Sequence, residues 1–180
     1  MKNNNFFKVL LLLYCTYLGA YDRNNIFVGA GIGLSDNFVD THTLIPSWYL
    51  LGGYEYKPIR EASLMAYLES LMGIKPSGLN TNITMQVSLN VDMALELQVS
   101  QKMRFGPYVG FGFGYCREER AIVDDGEVNN MALLLLNFGL QSNLDESNVI
   151  RLGFKYPFDL KDIRKDMKLV HIFLSYAYKF

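Results

Sequence analysis

Nine apolar side chains occupy alternate positions between residues 83 and 99: Ile83, Met85, Val87, Leu89, Val91, Met93, Leu95, Leu97 and Val99. Between and before them lie Asn82, Thr84, Gln86, Ser88, Asn90, Asp92, Ala94, Glu96 and Gln98. A period of two is the signature of a strand with two different faces. Strands of soluble sheets run about 3–10 residues, so an unbroken alternation of this length is long for one. A tilted membrane strand needs about 9–11 residues in the bilayer and can extend beyond it. A hairpin hidden near Asn90, Val91 and Asp92 has neither Gly nor Pro to turn on, so one continuous strand is expected.

The same pattern closes the sequence. Val170, Ile172, Leu174, Tyr176, Tyr178 and Phe180 alternate with Leu169, His171, Phe173, Ser175, Ala177 and Lys179. One face is wholly apolar and ends in aromatics, and an uncovered edge of that kind in water would invite aggregation. In a closed barrel within a bilayer it faces lipid, and the mixed face lines the lumen. This ending resembles the C-terminal strand of bacterial outer-membrane β-barrels, which ends on an aromatic residue. The resemblance implies that the strand ending at Phe180 is the address read by the barrel-assembly machinery.

Composition agrees with a β-rich, glycine-punctuated chain. The 180 residues include 12 Tyr, 12 Phe and 15 Gly, enough for one domain. A formal net charge of −1 offers no basic surface for nucleic acid. No apolar run of about 18 residues follows the N-terminus, so a helical span is not expected. Residues 1–20 read as a signal peptide: Lys2 and Lys8, a short apolar core over 9–18, then Gly19 and Ala20 before cleavage near Tyr21. A lipoprotein site at Cys15 is disfavoured by the bulky Tyr14 before it, and loss of Cys15 would leave Cys116 as the single thiol. Residues 21–180 are then the barrel domain.

Eight strands are expected: about 26–34, 45–56, 61–73, 83–99, 107–115, 130–142, 149–157 and 168–180. Ile26, Val28, Ala30, Ile32 and Leu34 form one face of the first, opposite Gly29, Gly31 and Gly33. This glycine spacing does not match a nucleotide loop, because the third Gly comes one position early. Ser35, Asp36 and Asn37 read as a turn, and 36–44 as a loop. Glu55 and Glu69 are placed inward, which sends Trp48, Leu50, Gly52, Tyr54 and Tyr56, then Leu64, Ala66, Leu68 and Met72, outward. Residues 57–60, with Lys57 and Pro58, read as a tight turn, and 75–78, with Pro76 and Gly78, as another connection. Val109, Phe111, Phe113 and Tyr115 face lipid and Gly110, Gly112 and Gly114 the lumen. The charged segment 117–129 reads as a solvated loop, since it lacks the alternating ligands of a calcium loop. Ala132, Leu134, Leu136, Phe138 and Leu140 point out; Asn137, Gly139, Gln141, Arg151 and Lys155 point in.

The segments around 136–140, 150–157, 91–93 and 105–114 carry a further likeness. Leu136, Asn137, Phe138, Gly139 and Leu140, then Ile150 to Pro157 and the aromatic terminus, resemble the C-terminal barrel of the Helicobacter-type outer-membrane protein family; so does the glycine-alternating run Phe105 to Gly114. The resemblance covers about half the chain. It implies a transmembrane β-barrel in the bacterial outer membrane; with the strands counted above, the expected fold is an eight-stranded antiparallel up-and-down transmembrane β-barrel, ten strands being the alternative that would revive a channel. Adhesins of that family carry a large external domain, which this chain lacks.

Three functions compete on sequence: a structural or surface-interaction barrel, adhesion included; a narrow channel; and a lipid-modifying enzyme. Eight strands enclose a lumen that side chains can fill. Inward Glu69, Asp92, Glu96, Arg151 and Lys155 point to a paired polar plug, because lone buried charges are costly. For an enzyme, His171 and Ser175 share the lumen face, where a lipid substrate does not reach; His42 lies in a loop. No catalytic residue, cofactor or metal ligand is assigned. The expected partners are outer-membrane lipid, the assembly machinery and a surface ligand that the sequence does not identify.

Overall fold

The computed structural model describes residues 25–37, 43–77, 80–121, 127–159 and 171–180. Residues 1–24, which include the segment read as a signal peptide, and residues 38–42, 78–79, 122–126 and 160–170, with His42, Gly78 and Asp124, lie outside them. The described residues form β1 (Asn25–Asn37), β2 (Thr43–Ile59), β3 (Ala62–Ser77), β4 (Asn80–Leu95), β5 (Arg104–Ala121), β6 (Glu127–Asn143), β7 (Asn148–Asp159) and β8 (His171–Lys179). A two-residue piece, Leu97–Gln98, continues β4 past Glu96 and pairs with Phe105 and Arg104.

Each strand pairs antiparallel with its neighbours in the chain, and β1 pairs with β8. Ala30 stands opposite Tyr176 across this seam. β4 pairs with β5, as in Leu89 opposite Phe113, so the sheet closes with no open edge along its span. Closure satisfies the backbone N–H and C=O groups that hydrocarbon cannot. This is an eight-stranded antiparallel up-and-down transmembrane β-barrel.

Alternation decides which side of the wall each residue takes. Leu89 is 59 % exposed and Phe111 63 %, whereas Asp92 and Asn90 are 0 % exposed. Trp48, Leu50, Tyr54, Leu64, Leu68, Val109, Phe113, Tyr115, Leu134, Leu136, Phe138, Leu140, Leu174, Tyr176 and Tyr178 all point outward. Exposed aliphatic and aromatic side chains so continuous around a closed wall form a lipid-facing belt. No hidden hairpin interrupts β4.

The boundaries need correction, and most strands are longer than expected; β3 instead starts one residue later, at Ala62, and the expected continuous strand 83–99 breaks at Glu96. Ser35, Asp36 and Asn37 are not a turn; they pair with Ile45, Leu44 and Thr43. Lys57, Pro58 and Ile59 stay in β2, which bulges between Tyr56 and Ile59, and the turn falls on Arg60 and Glu61. Lys75, Pro76 and Ser77 pair with Asn82, Thr81 and Asn80. Arg117 to Ala121 and Glu127 to Asn129 are ladder, not loop. Gly106 lies in β5, and Phe158 and Asp159 end β7. A polar run marks where the chain leaves hydrocarbon, while a ladder whose register is fixed keeps pairing into water. The 18 residues of β5 span about 60 Å along the strand, well over an apolar band about 25 Å tall even with a 45° tilt.

Candidate functional site: the lumen

The lumen is filled by side chains from all eight strands. Its centre is Asp92 of β4. Tyr67 Oη donates to its Oδ2 at 2.8 Å and Arg151 Nη1 at 2.9 Å, while Asn137 Nδ2 donates to its Oδ1 at 2.9 Å. Arg151 Nε also donates to Gln141 Oε1 at 2.8 Å, and Gln141 Nε2 to Glu96 Oε1 at 3.3 Å. The Arg151 guanidinium stacks 4.5 Å from the Tyr108 ring centroid and 5.7 Å from that of Tyr67. Every charge at this level is therefore answered by an opposite charge, a hydrogen bond or a π-face.

Further pairs lie to either side. On the long-loop side of this centre, Lys155 Nζ meets Glu69 Oε1 at 2.9 Å. On the short-turn side, Lys57 Nζ meets Glu96 Oε2 at 2.8 Å and Lys179 Nζ meets Glu55 Oε2 at 2.8 Å. The expected plug of Glu69, Asp92, Glu96, Arg151 and Lys155 is thus present, with partners assigned. Lys57, Lys179 and Tyr67 complete it. Parity signalled Lys57 and Tyr67, since 55 and 57, like 67 and 69, share a face; Pro58 masked Lys57 by suggesting a turn. Nothing local signalled that Lys179 would find Glu55, 124 positions away.

Glycines make room for these groups. A Cβ at Gly112 would collide with Asn90, and one at Gly153 with the Tyr108 hydroxyl and the Phe173 ring. The glycine alternation of β5 is therefore the space into which β4 sends its polar side chains.

The lumen is not polar throughout. Cys116, Met131, Leu133 and Leu135 form a buried apolar cluster on the long-loop side, and Tyr49, Leu71 and Phe173 form another. Leu133 and Leu135, apolar residues at inward positions of β6, belong to the first of these clusters. His171 and Ser175 are buried on the lumen wall, His171 opposite Lys155 and Ser175 opposite Arg151 in the ladder. Neither ring nitrogen of His171 has a hydrogen-bond partner among the described residues. A histidine oriented by nothing and set beside an ammonium does not make an arranged base–nucleophile pair.

At the short-turn end a cavity of about 320 Å³ opens between the 99–103 and 144–147 turns. Lys57, Lys102, Arg104, Asn143 and Asp145 line it. The 144–147 turn is built on Asp145, whose Oδ1 accepts from the backbone N–H of Ser147 (2.8 Å) and Asn148 (2.7 Å). The Asn148 side chain adds bonds to both carboxylate oxygens, and these hydrogen bonds hold the Asp145 carboxyl below the usual aspartate range.

Compared by sequence, the chain matches neither a protein-family profile nor a curated protein. Compared by structure, it is similar to small membrane barrels. The attachment invasion locus protein of Yersinia pestis aligns with a TM-score of 0.55 at 16 % identity, over 87 % of this chain and 97 % of that one. A major outer membrane protein from Thermus thermophilus gives 0.55 at 13 %, over 88 % and 100 %. The N-terminal barrel domain of Pseudomonas aeruginosa OprF gives 0.54 at 13 %, over 88 % and 100 %. At these identities the likeness shows the shared fold.

Proposed function

We propose that this protein is an integral barrel of the bacterial outer membrane whose role is structural or one of surface interaction, carried by the hairpins on its long-loop side. The Helicobacter-type kinship suggested by residues 105–114, 136–140 and 150–157 belongs to the same proposal. So does attachment as one form of the surface role, the role named for the Yersinia pestis barrel of like fold. The reading includes no catalytic function.

The observation that carries it is the extension of the β3–β4 and β5–β6 hairpins beyond the apolar belt. Thr81 to Thr84 pair with Ala121 to Glu118, and Glu119 with Val128. Arg117 and Glu119, bonded to each other at 3.1 Å, are solvent-accessible polar residues on this extension. Barrels of this class keep both termini in the periplasm, which sends the connections after β1, β3, β5 and β7 outward.

Cysteine placement tests this. In a Cys116→Ser background, Asp124→Cys should react with a membrane-impermeant thiol reagent on intact cells, and Glu61→Cys should not. Reaction at position 61 with protection at 124 would invert the topology and remove the proposed surface role.

A further inference from the structure

We propose that a groove in the outer wall, at the seam between β1 and β8, is a binding site for one acyl chain of a membrane lipid. The proposal rests on the reading of this wall as lipid-facing, and it concerns the leaflet on the long-loop side.

The groove encloses about 560 Å³, within the range of ligand pockets. Leu34 and Ile172 pair across the seam, as do Ile32 and Leu174. Pro46 and Trp48 of β2 flank them on one side and Leu152 of β7 on the other. The floor is firmly backed. Gly33 leaves on its inner side the room that the Tyr49 ring takes, and that ring lies 5.3 Å from the ring of Phe173. Pro46 stands where β2 parts from β3, one residue past their last pair, Ser47 opposite Gly73.

The chemistry of the lining decides the occupant. Its outward side chains are all aliphatic or aromatic. Ser47, the one hydroxyl residue of the lining, is buried and donates to Tyr49 Oη at 3.4 Å. The backbones of β2, β1, β8 and β7 pair with one another through this stretch, with Gly33 opposite both Ser47 and Phe173, and Phe173 opposite Gly153. A peptide laid in the groove would find no backbone partner for its N–H and C=O groups, which is costly away from water. The convex wall of a second copy would bridge the groove and leave it empty, against the tendency of protein contacts to pack without voids. An acyl chain has no polar group to satisfy and is narrow enough to follow the cleft. Coming from bulk lipid it gains no hydrophobic energy, since both surroundings are apolar. It gains dispersion contacts, because a groove surrounds it on more sides than a convex wall does.

Trp48 is the only tryptophan of the chain, so the groove carries its own reporter. The test uses folded protein in vesicles that mix plain phosphatidylcholine with phosphatidylcholine brominated along its chains, bromine quenching tryptophan at short range. With one chain in the groove, Trp48 should show half of its full quenching at an equal mixture. A reference tryptophan across the barrel, Leu89→Trp in a Trp48→Phe background, meets several neighbouring chains and should already be well past half. Leu34→Phe and Leu174→Phe each fill part of the groove and should shift the Trp48 curve toward the reference curve. Gel mobility with and without boiling reports folding of each variant, and the comparison of Trp48 with residue 89 needs neither. Identical curves at the two positions would mean ordinary annular lipid and overturn the proposal, as would a Trp48 curve unmoved by both groove-filling variants. Protection of Trp48 with quenching at 89 would put a second copy in the groove and overturn it too. Absence of quenching at 89 would remove the lipid-facing reading itself, and the proposal with it.

Discussion

Asp92 accepts hydrogen bonds from residues of three other strands, and its negative charge has one close positive partner, Arg151. Removing the carboxylate leaves that guanidinium buried and uncompensated, at a cost of roughly 3–5 kcal/mol. Asp92→Ala should therefore lower the denaturant midpoint of the folded barrel strongly. Asp92→Leu combined with Arg151→Met removes both charges and should be milder than either change alone. Urea unfolding in liposomes checks this; strictly additive losses would mean the pair is not coupled. The charges form one network, because Gln141 joins Arg151 to Glu96, and Glu96 to Lys57. Its reach across the chain, 59 positions from Asp92 to Arg151, explains why the sequence could list charged inward residues but not pair them.

Among the elements, β4 shows the two-sided wall most plainly. Leu89 faces out at 59 % exposure and its neighbour Ser88 is buried in the lumen. Arginine at 89 would meet hydrocarbon, at a cost of roughly 2–4 kcal/mol near the bilayer midplane. Stability alone does not distinguish lipid from an apolar interior, so the decisive measurement is environment. A polarity-sensitive fluorophore at residue 89, in protein reconstituted with lipid-borne quenchers, should be strongly quenched, and one at 88 should be protected. Equal protection of both would place Leu89 in an internal core. The elements also show how strand ends escape local reading. Pro58 and Pro76 sit within strands, Pro58 beside the register shift of β2. A proline lacks the N–H for one ladder bond, which a bulge or a strand end tolerates.

For the whole molecule, closure and filling act together. The eight-stranded wall leaves an interior that paired charges, aromatic rings and apolar clusters occupy. The cavity at the short-turn mouth lies outside the Asp92–Arg151 centre. Purified protein in planar bilayers should accordingly show little conductance. Stable channels of porin size would contradict a side-chain-filled lumen and revive the narrow-channel function. Closure also makes Phe180 part of the seam: its backbone N–H donates to the Ile26 carbonyl at 2.9 Å, and its ring meets Tyr178 edge-on.

The alternation at 83–99 and 171–180, the lumen-facing glycines of β5, and the inward Glu55, Glu69, Asp92, Glu96, Arg151 and Lys155 were legible in the sequence. Each follows from a period of two on a strand with unlike surroundings on its two sides, a property of neighbouring residues. Strand ends, charge partners and the mouth cavity were not. Whether Lys57 turns the chain or stays in the ladder depends on Glu96, which reaches it through β3 and the closed circuit of the barrel. Whether Leu133 and Leu135 face lipid or lumen depends on Cys116 and Met131 on the wall beside them. Local pattern fixes the faces of a strand. Only the closed wall, by bringing distant residues into one dry interior, decides which charges meet and how far each strand continues to pair.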